Sequence, residues 1–178
     1  MSYLVFNSGD PEEKKTLYLL TKNGYRHMAS RIELIMGLSK DLDKLNRTFE
    51  ENENLFGYMG LKITRIEKGF CQMELPYHEK ITRAGKVLHG GMIMSAVDYA
   101  GGITTMTVND GIDQVTQEVK INFLAPMSKG PFRIEGKTVK AGRTAVIVEI
   151  KFYDADGKLG VMALGTWYII RDRVIKKS

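Results

Sequence analysis

Asp98 and the tripeptide His89-Gly90-Gly91 are the residues whose types and spacing could do chemistry. Both lie in a largely apolar run from Leu88 to Asn109, where Asp98 is the only Asp, Glu, Lys or Arg. A carboxylate without a partner inside an apolar helix is costly, or it is neutralised because its pKa rises. Two glycines at a helix start leave backbone N–H groups uncovered, and such groups attract developing negative charge. The combination favours a reactive site over a purely structural helix.

Two structural interpretations of the same run compete with this one. A transmembrane helix needs about 20 mostly apolar residues, but four glycines, three threonines, a serine and Asp98 make this run too weakly hydrophobic. Asp98 could instead be a core carboxylate satisfied by the hydroxyl of Ser95 or Thr116, and His89 alone would be structural. We therefore expect no membrane span, and we keep the structural role of Asp98 as the alternative.

The composition is that of an ordinary globular protein. The chain has 178 residues, of which 43% are hydrophobic and 26% charged, which suits one core domain with an appendage. Its single cysteine, Cys71, excludes an intrachain disulfide and favours a reducing, cytoplasmic compartment. No basic segment followed by an apolar one opens the chain, so we expect no secretory signal. The three histidines show no metal-binding spacing, so we expect no metal. We expect no bound cofactor either.

The net charge of +5 is unevenly distributed. Residues 1–55 contain 8 Lys or Arg and 9 Asp or Glu, whereas residues 56–178 contain 18 and 12. A nucleic-acid-binding module at the N-terminus would carry the positive charge itself, so we expect no nucleic-acid partner. The surplus suits a phosphorylated small ligand or general solubility.

Residues 1–55 are predicted to form a helical N-terminal extension. Asp10-Pro11 and Asn23-Gly24 are helix start and stop signals that predict a short helix over residues 11–22. Ser30 and Glu33 form a capping box that predicts the start of a second helix, ended by the acidic segment 50–54. That helix carries one apolar stripe, which could pack on the main domain, pair with another subunit or receive a partner. The stripe consists of Ile35, Leu38, Leu42, Leu45 and Phe49.

From Phe56 onward the hydrophobic pattern changes to alternation, which is typical of strands. A hairpin over residues 61–75 is followed by an irregular loop, a helix over residues 88–108 and four strands joined by short turns. The four strands are predicted at residues 115–124, 132–140, 144–153 and 159–170. The pattern predicts an α+β fold in which an antiparallel sheet wraps around one long apolar helix. Gly101-Gly102 would allow that helix to approach the sheet closely.

At this point the motifs resemble a known family. Leu88-His89-Gly90-Gly91, Asp98 seven positions after the second glycine, the segment 115–126 and Gly142-Arg143-Thr144 look like the hotdog-fold acyl-CoA thioesterases of the phenylacetyl-CoA thioesterase (PaaI-like) type. The resemblance covers about residues 56–171, so we expect a hotdog domain at 56–178. It also implies a homodimer or a dimer of dimers, with the active site at the subunit interface.

The resemblance assigns roles residue by residue. It implies that Asp98 acts on the thioester as general base or nucleophile, that the Gly90 N–H forms the oxyanion hole and that His89 makes a polar contact to the thioester. Thr116 matches the hydroxyl that helps to hold the water and the acid. Arg83 stands where the family commonly has an Asn, which could alter water positioning, since an Arg cannot accept a hydrogen bond. Arg83, and Gly91 beside the oxyanion-hole residue, are candidate substrate-binding residues.

Other assignments stay open in the sequence. Arg143, near a strand end, is a candidate for binding a CoA phosphate, because its guanidinium suits phosphate; CoA would be part of the substrate. The second hypothesis is a non-catalytic acyl-CoA sensor, favoured by Arg83 and by the N-terminal extension but opposed by the intact His89, Gly90 and Asp98. A hotdog hydratase would need an Asp and a His closer together near the helix start.

Overall fold

The computed structural model describes residues 18–20, 26–28 and 30–171. Four α-helices and ten strands are found there. The helices are α1 (Arg31–Leu38), α2 (Leu42–Asn52), α3 (Asn54–Met59) and α4 (Gly90–Met106). The strands are β1 (Tyr18–Leu20), β2 (Arg26–Met28), β3 (Lys62–Glu67), β4 (Phe70–Leu75), β5 (Thr82–Arg83), β6 (Val87–Leu88), β7 (Asp113–Phe123), β8 (Phe132–Ala141), β9 (Ala145–Tyr153) and β10 (Leu159–Ile170).

Six of these strands form one antiparallel sheet in the order β3-β4-β8-β9-β10-β7. Strict alternation of buried and partly exposed residues along β9 shows that one face of the sheet lies on the core. β7 lies at one edge, because its other side has no neighbour in this order. The predicted hairpin and the four predicted strands are confirmed, with bounds within two residues of the prediction.

The long helix α4 packs across one face of this sheet. Its buried residues include Ile93, Val97 and Ala100, which share one hydrophobic cluster with residues from β4, β8, β9 and β10. Gly101 allows the close approach, because a Cβ at this position would overlap the indole of Trp167 on β10. The α+β architecture of a sheet wrapped around one long helix is thus confirmed.

The predicted second helix is interrupted. The Ser30 capping box is confirmed. Ser30 Oγ accepts a hydrogen bond from the Glu33 N–H, and Glu33 Oε2 accepts one from the Ser30 N–H. The single apolar stripe is instead divided between α1 and α2, because Asp41 caps a new helix through the Lys44 N–H. The expectation of strand-type alternation from Phe56 was also wrong, since Phe56 lies in α3 and the strands begin at Lys62.

These helices share the core of the sheet. Ile35 of α1, Phe49 of α2 and Phe56 of α3 are buried in the same hydrophobic cluster as α4. The Phe56 ring lies edge-on to Tyr99 of α4, with ring centroids 5.5 Å apart. The first of the three predicted packing modes, packing on the main domain, is therefore found, and the predicted boundary between residues 55 and 56 lies inside α3.

The predicted helix over residues 11–22 is wrong at Tyr18–Leu20, which form β1 and pair with β2. The rest of that range lies outside the described residues. Asn-Gly is also the pair preferred in tight β-hairpin turns, so Asn23-Gly24 fits a hairpin signal as well as a helix stop. Across the described ranges, no helix has the length and hydropathy needed to cross a membrane.

Candidate active site

The amino end of α4 carries the His89-Gly90-Gly91 motif. His89 is the N-cap residue, and its Nδ1 accepts a hydrogen bond of 3.0 Å from the Gly91 N–H. The Gly90 N–H donates to no acceptor within residues 30–171. The helix start therefore presents one uncommitted amide at Gly90, while the Gly91 amide is already used by the His89 side chain.

Asp98 lies two turns further along α4, opposite the edge strand β7 of the sheet. Asp98 as a whole residue is exposed in the single chain, but protein atoms surround much of its carboxylate. Its Oδ1 accepts a hydrogen bond of 2.8 Å from the hydroxyl of Thr116 on β7. Protein atoms packed around the carboxylate raise the pKa of Asp98, and the Thr116 hydrogen bond opposes this by lowering it. A carboxylate with a raised pKa is the better base near neutral pH.

A cavity of about 290 Å³ opens beside this carboxylate. It runs along α4 past Tyr99, Ile103 and Met106, with β7 and β10 forming one wall and the segment from α2 to α3 the other. The cavity is lined by Phe49, Glu53, Leu55, Ser95, Asp98, Tyr99, Gly102, Ile103, Met106, Gln114, Thr116 and Trp167. Aromatic and aliphatic side chains with a few polar groups among them are typical of small-molecule sites.

Two hydrogen bonds fix the walls of this cavity on α4. Tyr99 Oη donates to Glu53 Oε2 over 3.1 Å, and Gln114 Nε2 donates to the Gly102 carbonyl over 2.7 Å. Gln114 Oε1 in turn accepts from the Asn109 side chain, so both ends of the Gln114 amide are used. Burial, together with Glu53, raises the pKa of Tyr99, so its hydroxyl stays protonated as a donor.

The sequence-predicted residues divide into two groups. Asp98 and Thr116 line the same cavity, whereas His89, Gly90 and Gly91 lie two turns away at the start of the helix. Arg83 is exposed on β5 and donates to the Ala84 carbonyl. Arg143 lines a separate cavity with Tyr168 and Arg171, so within the single chain it is not part of the Asp98 cavity.

Sequence reasoning missed the contribution of the N-terminal helices to this cavity. Phe49 was predicted as part of an apolar stripe, and Glu53 only as one acid of the segment that ends the helix. Nothing in the sequence separates Glu53 from the exposed neighbours Glu50 and Glu51. Its position depends on where the segment packs, which the tertiary structure alone determines.

Comparisons with known proteins agree with this geometry. The model of the thioesterase superfamily matches residues 85–161. A protein of Saccharolobus solfataricus named "putative esterase" is 53% identical over 133 residues, which cover 75% of this chain and 95% of that protein. The chain belongs to the thioesterase superfamily. This membership identifies the protein as a thioester hydrolase and confirms the predicted family.

Two further proteins extend the comparison. A medium/long-chain acyl-CoA thioesterase of Salmonella typhimurium is 24% identical over 127 residues, which cover 62% of this chain and 82% of that protein. The solved structure of the Escherichia coli PaaI protein, from the phenylacetic acid degradation operon, superposes with a TM-score of 0.65. It is 19% identical and covers 75% of this chain and 96% of that chain, which shows the shared fold.

Proposed function

We propose that this protein hydrolyses acyl-CoA thioesters, with Asp98 as the group that activates the attack. The observation that carries the proposal is the Asp98 carboxylate itself. It is held by Thr116 at the mouth of a largely apolar cavity, and its pKa is raised by the surrounding protein. The acyl-CoA thioesterase of Salmonella typhimurium supports CoA as the thiol half of the substrate.

The proposed chemistry needs few groups. Asp98 takes a proton from water as the water oxygen bonds to the thioester carbonyl carbon, and the carbonyl oxygen becomes an oxyanion. The Gly90 N–H donates to that oxyanion, a contact whose removal costs about 3–4 kcal/mol in other hydrolases. The carbon–sulfur bond then breaks and CoA leaves as a thiolate, a good leaving group. Direct attack by the carboxylate, with water hydrolysing the resulting anhydride, uses the same two groups.

The size of the cavity limits what it holds. A volume of about 290 Å³ is just below the roughly 300–1,000 Å³ typical of small-molecule sites. It suits an acyl or aryl group, while the nucleotide of CoA would lie outside it. We propose that Arg143 and Arg83, both exposed, contact the CoA portion, and that His89 and Gly91 shape the amide end of the site.

The proposed chemistry requires a second copy of the chain. Gly90 and Asp98 are eight residues apart on α4, about 12 Å along the helix axis, whereas both must approach one carbonyl group within about 3–3.5 Å. Gly90, Met94 and Asp98 recur every four residues and share one helix face, on which Met94 is 52% exposed. β7 lies beside this face as an edge strand. We propose a homodimer in which Gly90 of one subunit faces Asp98 of the other, and such dimers could pair further.

Assaying CoA release tests this function. The purified protein is expected to release CoA from some members of a panel of aliphatic and aryl acyl-CoA thioesters. Asp98→Asn is expected to fold and to lose at least about tenfold in turnover, equivalent to roughly 1.4 kcal/mol or more. Acyl-CoA binding without hydrolysis would favour a sensor, and unchanged hydrolysis by Asp98→Asn would remove Asp98 from the mechanism.

A further inference from the structure

Glu53 occupies an unusual position at the junction of α2 and α3. It follows the last residue of α2 and is the N-cap residue of α3, yet its side chain makes no capping hydrogen bond to α3. The carboxylate instead accepts the hydroxyl hydrogen of Tyr99 on α4 and lines the cavity that contains Asp98. Its side chain is therefore committed to the cavity and not to the helix end.

The acceptor capacity of Glu53 is only partly used. An ionised carboxylate accepts at about four positions and donates at none, and the hydrogen bond from Tyr99 takes one of them. In the described part of the chain, no Lys, Arg or His forms an ion pair with Glu53. The Tyr99 ring lies edge-on to Phe56, which restricts how far the pair can move.

Three other polar side chains of the cavity already have hydrogen-bond partners. The Thr116 hydroxyl donates to Asp98, and the Ser95 hydroxyl donates to the Gly91 carbonyl. Gln114 is bonded at both ends of its amide. Glu53 is thus the polar group away from the reacting carboxylate that still offers strong acceptor positions to a bound acyl group.

Unsubstituted and hydroxylated acyl groups meet this carboxylate differently. A hydrocarbon chain that displaces water from an ionised carboxylate replaces hydrogen bonds with nothing, which disfavours its binding. A hydroxyl on the chain restores a charge-assisted hydrogen bond. We infer that Glu53 is a specificity-determining residue that favours acyl groups bearing a hydroxyl over unsubstituted acyl groups of the same length. This inference rests on the proposed acyl-CoA hydrolysis.

Matched thioester pairs test the inference. The substrates are hexanoyl-CoA, octanoyl-CoA and, for each, the 3-hydroxy and the terminally hydroxylated derivative. The readout is the ratio of kcat/KM for a hydroxylated thioester to kcat/KM for its parent. The wild-type enzyme is expected to prefer at least one hydroxylated derivative by about fivefold or more. The position of the preferred hydroxyl reports how far Glu53 lies from the thioester.

Variants of the same segment connect the preference to the carboxylate. Glu53→Leu is expected to reduce the ratio to about one by improving hydrolysis of the unsubstituted thioester and slowing that of the hydroxylated one. Glu53→Gln keeps an acceptor for Tyr99 and is expected to give an intermediate ratio, so it tests the inference even where Glu53→Leu folds poorly. Glu51→Leu, an exposed position of α2 outside the cavity, is the matched control and should leave the ratio unchanged.

The outcomes separate the two proposals. Hydrolysis with no preference for any hydroxylated thioester, or a preference that survives Glu53→Leu and Glu53→Gln, overturns the role of Glu53 and leaves the proposed function standing. Hydrolysis of other acyl-CoA thioesters but of none in this panel also overturns the role of Glu53. Hydrolysis of no acyl-CoA thioester overturns the proposed function and this inference with it.

Discussion

Thr116 Oγ1 donates a hydrogen bond of 2.8 Å to Asp98 Oδ1, which joins the middle of α4 to the edge strand β7. The two influences on the pKa of Asp98 act in opposite directions, because burial raises it and this hydrogen bond lowers it. Burial is the larger influence, so the net shift is upward. Thr116 therefore orients the proposed base and also limits how far its pKa rises.

Replacing Thr116 with Val is expected to move the pH dependence of the enzyme. Val keeps the shape but cannot donate, so the pKa of Asp98 rises further. Because the base must be unprotonated, the acidic limb of the kcat/KM profile should move to higher pH, and activity should fall most at low pH. Thr116→Ser retains the hydroxyl and is the control. The acidic limb of its kcat/KM profile should stay near that of the wild-type enzyme. An unmoved limb in Thr116→Val would show that this hydrogen bond does not tune the base.

Asp98→Asn is expected to increase stability at neutral pH. The pKa of Asp98 is higher in the folded protein than in the unfolded chain. The protonated carboxyl therefore makes its full contribution to the stability of the fold below the unfolded pKa of about 3.9. That contribution is lost as the pH rises through the folded pKa. Asn stays neutral throughout. The Tm of the variant should therefore exceed that of the wild-type protein at pH 7–8, and the difference should vanish at acidic pH. Thermal unfolding followed by circular dichroism across this range measures it.

Asp110→Asn provides a control of opposite sign for this stability effect. A hydrogen bond from Arg171 lowers the pKa of Asp110, so its ionised form stabilises the folded protein above the unfolded pKa. Its loss should lower the Tm slightly at neutral pH, since an exposed ion pair contributes little, and should have no effect at acidic pH. At neutral pH, a raised Tm in Asp110→Asn would contradict the assignment for Asp110, and a lowered Tm in Asp98→Asn would contradict the assignment for Asp98.

The elements that position Asp98 were largely predictable. The helix predicted at residues 88–108 is found at Gly90–Met106, since an apolar run between a glycine pair and the turn at residues 109–111 has few alternatives. The four strands follow from alternating burial and short turns. The position of Thr116 opposite Asp98 came from the family resemblance, because nothing in a one-dimensional pattern indicates which strand residue faces a given helix residue.

The errors lie where local signals allow two structures. Asn23-Gly24 fits both a helix stop and a hairpin turn, and Asp41 restarts a helix within a stripe whose spacing is continuous. The wall of the cavity formed by Phe49 and Glu53 depends on how separate elements pack, so no sequence period reveals it. The side chain of His89 could not be predicted either, because its hydrogen bond to the Gly91 N–H depends on a rotamer.

Gly101 and Gly102 are expected to respond differently to Ala. A Cβ at Gly101 would overlap the buried indole of Trp167, whereas at Gly102 the nearest atom is Trp167 Nε1 at 3.6 Å, an ordinary contact. Gly101→Ala should lower the free energy of unfolding by about 1–3 kcal/mol through overpacking. Gly102→Ala should leave it unchanged or raise it by up to about 1 kcal/mol, because Ala favours helices. Denaturant unfolding compares them, and equal effects would contradict the close approach of α4 to β10.

Complementation between two inactive variants tests whether Gly90 and Asp98 act across the subunit interface. Gly90→Pro removes the proposed oxyanion donor at the first position of α4, where Pro is tolerated. The residue before it, His89, already has φ −67° and ψ 132°, which suits a residue that precedes Pro. Gly90→Pro and Asp98→Asn should each be nearly inactive alone.

Refolding these two variants together shows whether the active site is shared between two subunits or lies within one. If the acid and the amide come from opposite subunits, each mixed dimer has one intact site, made of Asp98 from one chain and Gly90 from the other. Statistical pairing should then restore about a quarter of wild-type activity. If both groups act within one chain, every site in every dimer carries a defect and mixing restores nothing. Activity of the refolded mixture, compared with that of each variant refolded alone, therefore distinguishes an interfacial active site from one contained in a single subunit.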